Sequence, residues 1–67
     1  MPHVVVKLAS GRSAEQRQQL ADKIAQDVAA ILKCKEELIS VALEEITPAD
    51  WMDSVYKPEI QGKWTRF

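Results

Sequence analysis

The chain has 67 residues and a formal net charge of −1, with one cysteine and one histidine. A domain of this size buries only about 60% of the surface that its unfolded chain exposes, so its own core provides little stability. The lone cysteine excludes an internal disulfide, the lone histidine argues against a structural zinc site, and the scattered basic residues argue against nucleic-acid binding. Oligomerisation is the expected source of additional stability.

The sequence also argues against a membrane location. No segment is long and apolar enough for a transmembrane helix, and the N-terminus lacks the basic and apolar regions of a signal peptide. An unpaired cysteine is typical of a reducing compartment. We therefore expect a single domain over residues 1–67, located in the cytoplasm, with neither a membrane nor nucleic acid as partner.

An apolar segment near the N-terminus predicts a strand over residues 3–9. Val4, Val6 and Leu8 alternate on one face of this strand. Val5 makes the opposite face partly apolar as well, which is typical of a strand that is covered on both sides. Gly11, within the segment SGR, then predicts a turn.

A long helix is predicted after this turn. Ser13 and Gln16 in the segment SAEQ match a capping box, which favours a helix start. From there to about residue 33, apolar residues recur at helical spacing and predict one buried stripe. These residues are Leu20, Ile24, Val28, Ile31 and Leu32. The polar segment KCKEE predicts the connection out of the helix.

A second strand is predicted over residues 38–46, where apolar and polar side chains again alternate. Strand, helix and strand together form a β-α-β unit, so the two strands are expected to be parallel with a right-handed crossover. The long helix covers only one face of such a sheet. The other face carries Val5 and Ala42, and we expect another copy of the chain to cover it.

The last part of the chain predicts a short helix and a terminal strand. Thr47, Pro48 and Asp50 in the segment TPAD predict a helix start, and the helix is expected to end near Val55, before Pro58. The segment KWTRF predicts a C-terminal strand. The predicted fold class is α/β: a β-α-β subunit with parallel strands, a short second helix and a C-terminal strand, completed by oligomerisation.

Three segments of the sequence together resemble one known family. Proline follows the initiator methionine directly, an arginine follows ten residues beyond it in LASGRSAEQ, and SVALEEITPADW follows later. Over essentially the whole chain this pattern resembles the oxalocrotonate tautomerase family, small β-α-β subunits whose mature chain starts with a catalytic proline. With VYKPEI included, the sequence is most similar to the subgroup that acts on phenylpyruvate-type enols, often as dimers. The resemblance implies an isomerase without cofactor or metal.

The resemblance implies that Pro2 is the catalytic acid/base. Removal of Met1 leaves Pro2 with a secondary amine, and an α-amino group has a reference pKa of about 7.7–8.0. Burial in an apolar pocket, or a nearby cation such as Arg12, lowers that pKa towards neutrality, where a group can accept and return a proton. If Met1 stays attached, the Pro2 nitrogen is a tertiary amide and cannot act as a base.

The resemblance also implies substrate-binding roles for Arg12 and Trp51. The planar guanidinium of Arg12 would bind a substrate carboxylate or polarise its carbonyl; the alternative is a solvated turn arginine. Trp51 would form an apolar wall against an aryl substrate; the alternative is ordinary packing of the short helix. Ala42 stands where dicarboxylate-specific members have a second arginine. Unless Arg66 or a lysine of a neighbouring subunit replaces that arginine, this departure favours a monocarboxylate substrate with an apolar tail.

Two classes of function therefore remain. The first is a homo-oligomeric tautomerase, a dimer or a hexamer built from dimers, that interconverts the enol and keto forms of a small 2-keto acid. The second is a non-catalytic oligomeric module that binds a ligand or partner on the same scaffold, and Ala42 or a retained Met1 favours it. A third possibility, hydration of haloacrylates by related folds, lacks clear candidates for the water-activating groups.

Overall fold

A computed structural model describes residues 1–62 of the chain. Two strands, β1 (His3–Ala9) and β2 (Ser40–Ile46), are connected by the helix α1 (Ala14–Leu32). The short helix α2 (Pro48–Trp51) follows β2 and continues into a π-helical segment, Met52–Ile60. The C-terminal strand predicted in KWTRF, residues 63–67, lies outside the described residues. Within residues 1–62, none of the helices has the length and apolar character needed to cross a bilayer.

β1 and β2 form a two-stranded parallel sheet along their full lengths. His3 lies opposite Ser40 at one end of the sheet, and Ala9 lies opposite Ile46 at the other. The Ser10 N–H donates to the Ile46 carbonyl at 3.0 Å and closes the second end. The parallel β-α-β unit predicted from the sequence is therefore confirmed.

α1 begins at the capping box and packs on one face of the sheet. The Ser13 side chain accepts a hydrogen bond from the Gln16 N–H at 3.1 Å, and the Gln16 side chain accepts one from the Ser13 N–H at 3.2 Å. The 19-residue helix is about 28 Å long, whereas the seven-residue strands span about 23 Å. The last turn of α1 therefore extends beyond the sheet. For this reason Ile31, predicted in the buried stripe, is 78% exposed.

The start of β2 differs from the prediction. Glu36–Leu38 form a 3-10 turn, in which the Ile39 N–H donates to the Glu36 carbonyl at 3.0 Å. This local hydrogen bond takes the N–H of Ile39 away from the strand ladder. β2 therefore begins at Ser40 instead of residue 38.

The predicted short helix begins at Pro48 as expected but extends further. Helical structure continues through Met52–Ile60, although the sequence predicts an end near Val55. Pro58 lies inside this segment and cannot donate a backbone hydrogen bond. The winding is π-helical, and the Gln61 N–H donates to the carbonyl five residues earlier at 2.7 Å. The end predicted near Val55 is therefore wrong.

The π-helical segment covers part of the sheet face that α1 leaves open. Val55, Glu59 and Ile60 line a cavity together with Val5 and Lys7 of β1. Side chains alternate between the faces of a strand, so Val5 and Lys7 share this second face. The chain thus supplies some of the cover that was expected from another copy, while Val5 stays 46% exposed.

We expect that Val55→Ala lowers the free energy of unfolding by about 2 kcal/mol, because it removes two buried methyl groups and leaves a small cavity. Val55 is only 5% exposed, the lowest exposure among the hydrophobic residues described. Urea unfolding followed by circular dichroism measures the effect. Ile31→Ala is the control and should change the stability by less than about 0.5 kcal/mol. Equal losses in both variants would show that burial within one chain does not decide stability.

Candidate active site

Pro2 lies immediately before β1 and is held at the start of β2. Its carbonyl accepts a hydrogen bond from the Ser40 N–H at 3.2 Å. Beside it, His3 Nδ1 lies 2.6 Å from the Ser40 hydroxyl, so the two opposed strand residues also pair through their side chains. Pro2 is half-buried, whereas Met1 is 99% exposed. The bond between Met1 and Pro2 therefore projects from the end of the sheet.

Arg12 lies in the turn at the opposite end of β1. Gly11 has a φ of +116°, a value that residues with a Cβ rarely adopt, and it directs the chain from the strand into the cap of α1. The Arg12 carbonyl accepts a hydrogen bond from the Arg17 guanidinium at 2.8 Å. Because Ser13 caps the helix directly after it, the backbone of Arg12 is fixed on both sides.

A cavity of about 130 Å³ adjoins this turn. It is lined by two arginines, one glutamine and two leucines: Leu8, Arg12, Gln16, Arg17 and Leu20. Arg17 forms an ion pair with Glu45 of β2 at 2.9 Å. Arg12 has no ion-pair partner within residues 1–62 and is exposed. The cavity therefore combines apolar walls with one guanidinium that is free to bind an anion.

β1 separates Pro2 from Arg12. Pro2 precedes the first residue of the strand, and Arg12 follows the last one, Ala9. The extended chain from Pro2 to Ala9 spans roughly 23 Å, which no side chain bridges. One protomer therefore does not bring Pro2 and Arg12 to the same small substrate. A site that uses both residues must combine the Pro2 end of one copy with the Arg12 end of another.

The second cavity lies on the other face of the sheet, next to the π-helical segment. Its volume is about 510 Å³, and two of the residues that line it, Lys7 and Glu59, form an ion pair. The hydrogen bond from Lys7 to Glu59 raises the pKa of the Lys7 ammonium; burial opposes this effect, and the charges of Glu59 and Glu44 add to it. Lys7 therefore stays protonated and holds the segment against the sheet.

The remaining residues singled out from the sequence lie apart from Pro2. Trp51 ends α2, five positions after Ile46, so it follows the end of the sheet opposite Pro2. It is half-buried and lines neither of the two cavities. Ala42 is half-buried opposite Val5 in the sheet register. Its methyl side chain provides no group for an anion.

The sequence interpretation missed Arg17 and Glu45. These residues lie far apart in the chain, on α1 and β2, and only the packing of the helix on the sheet brings them together. The alternation of β2 does place Glu45 on the same face as the apolar residue Leu43. A charged residue on the strand face that the helix covers predicts a partner of opposite charge on the helix, and this signal could have identified the pair.

Comparisons of the sequence and of the fold with known proteins all find tautomerases. A family model described as "Tautomerase enzyme" matches residues 2–54. A probable tautomerase of Xylella fastidiosa is 43% identical over 61 residues, which cover 91% of this chain and 74% of the relative. Tautomerase PptA of Cronobacter sakazakii is 41% identical over 61 residues, covering 90% and 80% respectively. A crystal structure of apo unfused 4-OT, 22% identical, matches in fold with a TM-score of 0.75, covering 92% of this chain and 98% of that chain.

The family match begins at Pro2 and includes both strands, α1 and the turn that carries Arg12. Two relatives above 40% identity, one named a probable tautomerase and the other a tautomerase, match nine-tenths of the chain. The resemblance to the oxalocrotonate tautomerase family is thereby confirmed in sequence and in fold. The chain belongs to the tautomerase enzyme family, and the protein is an isomerase.

Proposed function

We propose that the protein is a cofactor-independent tautomerase that interconverts the enol and keto forms of a small 2-keto acid of the phenylpyruvate type. Pro2 is its general acid/base after removal of Met1. The observation that carries this proposal is the position of Pro2: half-buried and hydrogen-bonded to β2, directly behind a fully exposed methionine. In the cytoplasm, where we expect the protein, an aminopeptidase has free access to that methionine.

The chemistry requires one group that can both accept and donate a proton. The free amine of Pro2 takes the proton of the enol hydroxyl, and the electrons of that bond form the carbonyl as the C=C bond opens. Carbon 3 of the substrate then receives a proton from the Pro2 ammonium, so the amine ends in its starting state. The five-membered ring and the hydrogen bond of its carbonyl to Ser40 fix the direction of the nitrogen, which favours proton transfer.

Arg12 is the proposed anchor of the substrate carboxylate. Its guanidinium has no ion-pair partner within residues 1–62, and it lines a cavity that also has two leucines in its walls. A planar guanidinium binds a carboxylate with two parallel hydrogen bonds. Because β1 separates Arg12 from the Pro2 of its own chain, we propose that a neighbouring copy supplies it in a homodimer, with a hexamer of dimers as the alternative.

The proposed substrate carries one carboxylate and an apolar tail. Ala42 supplies no second cation, so a second carboxylate would lie without a partner at that position. The exposed apolar side chains Leu20 and Met52, with the half-buried Trp51, offer surfaces for an aryl group once copies associate. We propose that Trp51 forms an apolar wall of the site.

Ketonisation of phenylenolpyruvate, followed by absorbance, tests the proposal. The protein is first shown by intact mass to lack Met1. We expect a rate at least 100-fold above that of buffer alone, the lower end of the effect of a positioned acid/base group. The control is the same buffer with an equal concentration of an unrelated protein. A rate equal to that control, with Met1 absent, would overturn the proposal and favour the non-catalytic binding module.

A further inference from the structure

The cavity beside Arg12 contains two guanidinium groups but only one uncompensated charge. Arg12 and Arg17 both line it. The carboxylate of Glu45 lies 2.9 Å from Arg17 and cancels the charge of that residue, whereas Arg12 has no acidic partner within residues 1–62. An anion that enters the cavity therefore meets one available cation, although the sequence provides two.

Arg17 is also fixed in place. A single nitrogen of its guanidinium, Nη1, donates a hydrogen bond to the Arg12 carbonyl at 2.8 Å and lies 2.9 Å from the Glu45 carboxylate in an ion pair. The side chains of Arg17 and Glu45 are each 34% exposed, so the pair is partly shielded from water. Such a pair holds its geometry better than an ion pair on the open surface, and salt screens it less.

We propose that the Arg17–Glu45 ion pair is the specificity determinant of this cavity: it cancels the second positive charge and so restricts the cavity to substrates with a single carboxylate. This inference rests on the proposed role of Arg12 as carboxylate anchor and adds how its selectivity arises. Arg17 does not touch the first carboxylate. Arg17 affects selectivity through its positive charge, which Glu45 compensates and so makes unavailable to a second carboxylate.

Replacement of Glu45 by glutamine separates the charge from the geometry. The glutamine side chain keeps the size of glutamate and places an oxygen where the carboxylate stood, and the hydrogen bond from Arg17 to the Arg12 carbonyl remains, so the guanidinium stays near its place. Its charge is no longer compensated, and the cavity then has two cations side by side. A second carboxylate gains a charge-assisted hydrogen bond, and we expect a preference for dicarboxylates to increase by about tenfold.

The test compares kcat/KM for phenylenolpyruvate, a monocarboxylate, with kcat/KM for 2-hydroxymuconate, a dicarboxylate. Four proteins are measured: the parent, Glu45→Gln, the double variant Arg17→Gln/Glu45→Gln, and Asp27→Asn. Asp27→Asn removes one negative charge, as Glu45→Gln does. Asp27 pairs with Lys23 on α1 and does not line the cavity. This control excludes a general effect of charge on the approach of a dianion.

The ratio of dicarboxylate to monocarboxylate activity should rise about tenfold in Glu45→Gln. It should return to the parent value in the double variant and stay unchanged in Asp27→Asn. An unchanged ratio in Glu45→Gln, or a gain that persists without Arg17, would overturn the inference. A gain of similar size in Asp27→Asn would also overturn it, since long-range electrostatics would then suffice.

A binding measurement distinguishes failure of this inference from failure of the proposed function. Two unreactive acids, 3-phenylpropanoate and adipate, are titrated into the same four proteins, and the side-chain N–H signals of the arginines are followed by nuclear magnetic resonance. The affinity for adipate relative to 3-phenylpropanoate should rise in Glu45→Gln alone, even if no protein catalyses ketonisation. If catalysis is present but neither ratio changes, the proposed function stands and the role of the ion pair is wrong.

Discussion

Blocking the nitrogen of Pro2 is expected to lower kcat/KM for phenylenolpyruvate by about 10²- to 10⁴-fold, the contribution of a positioned acid/base group. The block consists of two residues, glycine and serine, inserted between Met1 and Pro2. After methionine removal Pro2 is then an internal tertiary amide with no basic lone pair. The inserted residues project from the end of the sheet where Met1 is 99% exposed, so the fold should be preserved.

The variant Pro2→Ala is the matched comparison for this block. Its N-terminal methionine is also removable, which leaves a primary amine at the same place. We expect it to retain part of the activity, with a loss of about 10- to 100-fold, because alanine lacks the ring that fixes the direction of the nitrogen. We thus expect the parent to be the most active, Pro2→Ala to be intermediate and the blocked chain to be the least active. A blocked chain as active as the parent would exclude the amine as the catalytic group.

Replacement of Arg12 by alanine is expected to raise KM for phenylenolpyruvate by about 10- to 100-fold, since a charge-assisted hydrogen bond contributes about 1.5–3 kcal/mol. The loss should appear mainly in KM, because the guanidinium holds the carboxylate equally in the ground state and in the transition state. Steady-state kinetics with varied substrate concentration separates the two constants.

Two further variants show whether the charge or the shape of Arg12 matters. Arg12→Lys retains the positive charge but loses the planar pair of donors, and it should recover only part of the affinity. Lys23→Ala removes a positive charge from α1 outside the cavity and should leave KM unchanged. An unchanged KM in Arg12→Ala would assign the carboxylate to another group. An equal increase in Lys23→Ala would indicate a general effect of charge.

Elements that depend on adjacent residues could be predicted from the sequence. The capping box of Ser13 and Gln16 needs only contacts within one turn, and α1 begins where it indicates. In β1 the apolar side chains of Val4, Val6 and Leu8 recur at every second position, and the strand has the predicted bounds. The parallel pairing then follows from the general handedness of β-α-β units.

The π-helical segment could not be predicted in the same way. Locally, Pro58 argues for an end of the helix because it removes a backbone donor. Two contacts with distant residues outweigh this preference: Val55 is buried on the second face of the sheet, and Glu59 pairs with Lys7 of β1. The sequence does not show which strand residues such a segment will meet.

The candidate site was predictable only residue by residue. The resemblance pointed to Pro2 and Arg12 individually, and from the sequence Arg12 was expected to lie near Pro2. Their separation by the length of β1 became apparent only in three dimensions, as did the ion pair between Arg17 and Glu45. Residue types indicate which chemistry is available, whereas the arrangement of strands decides which groups can act on one molecule.

If Pro2 and Arg12 act on one substrate as proposed, their placement at opposite ends of one strand means that each chain contributes half of two different sites. A chain without the free amine of Pro2 still supplies the guanidinium of Arg12 to its neighbour. A chain without that guanidinium still supplies the amine. In a random mixture of equal amounts of these two defective chains, about a quarter of the composite sites combine the two intact halves, whatever the size of the symmetric assembly. Catalysis is then a property of the contact between copies, and at low substrate concentration the mixture is more active than either defective protein alone.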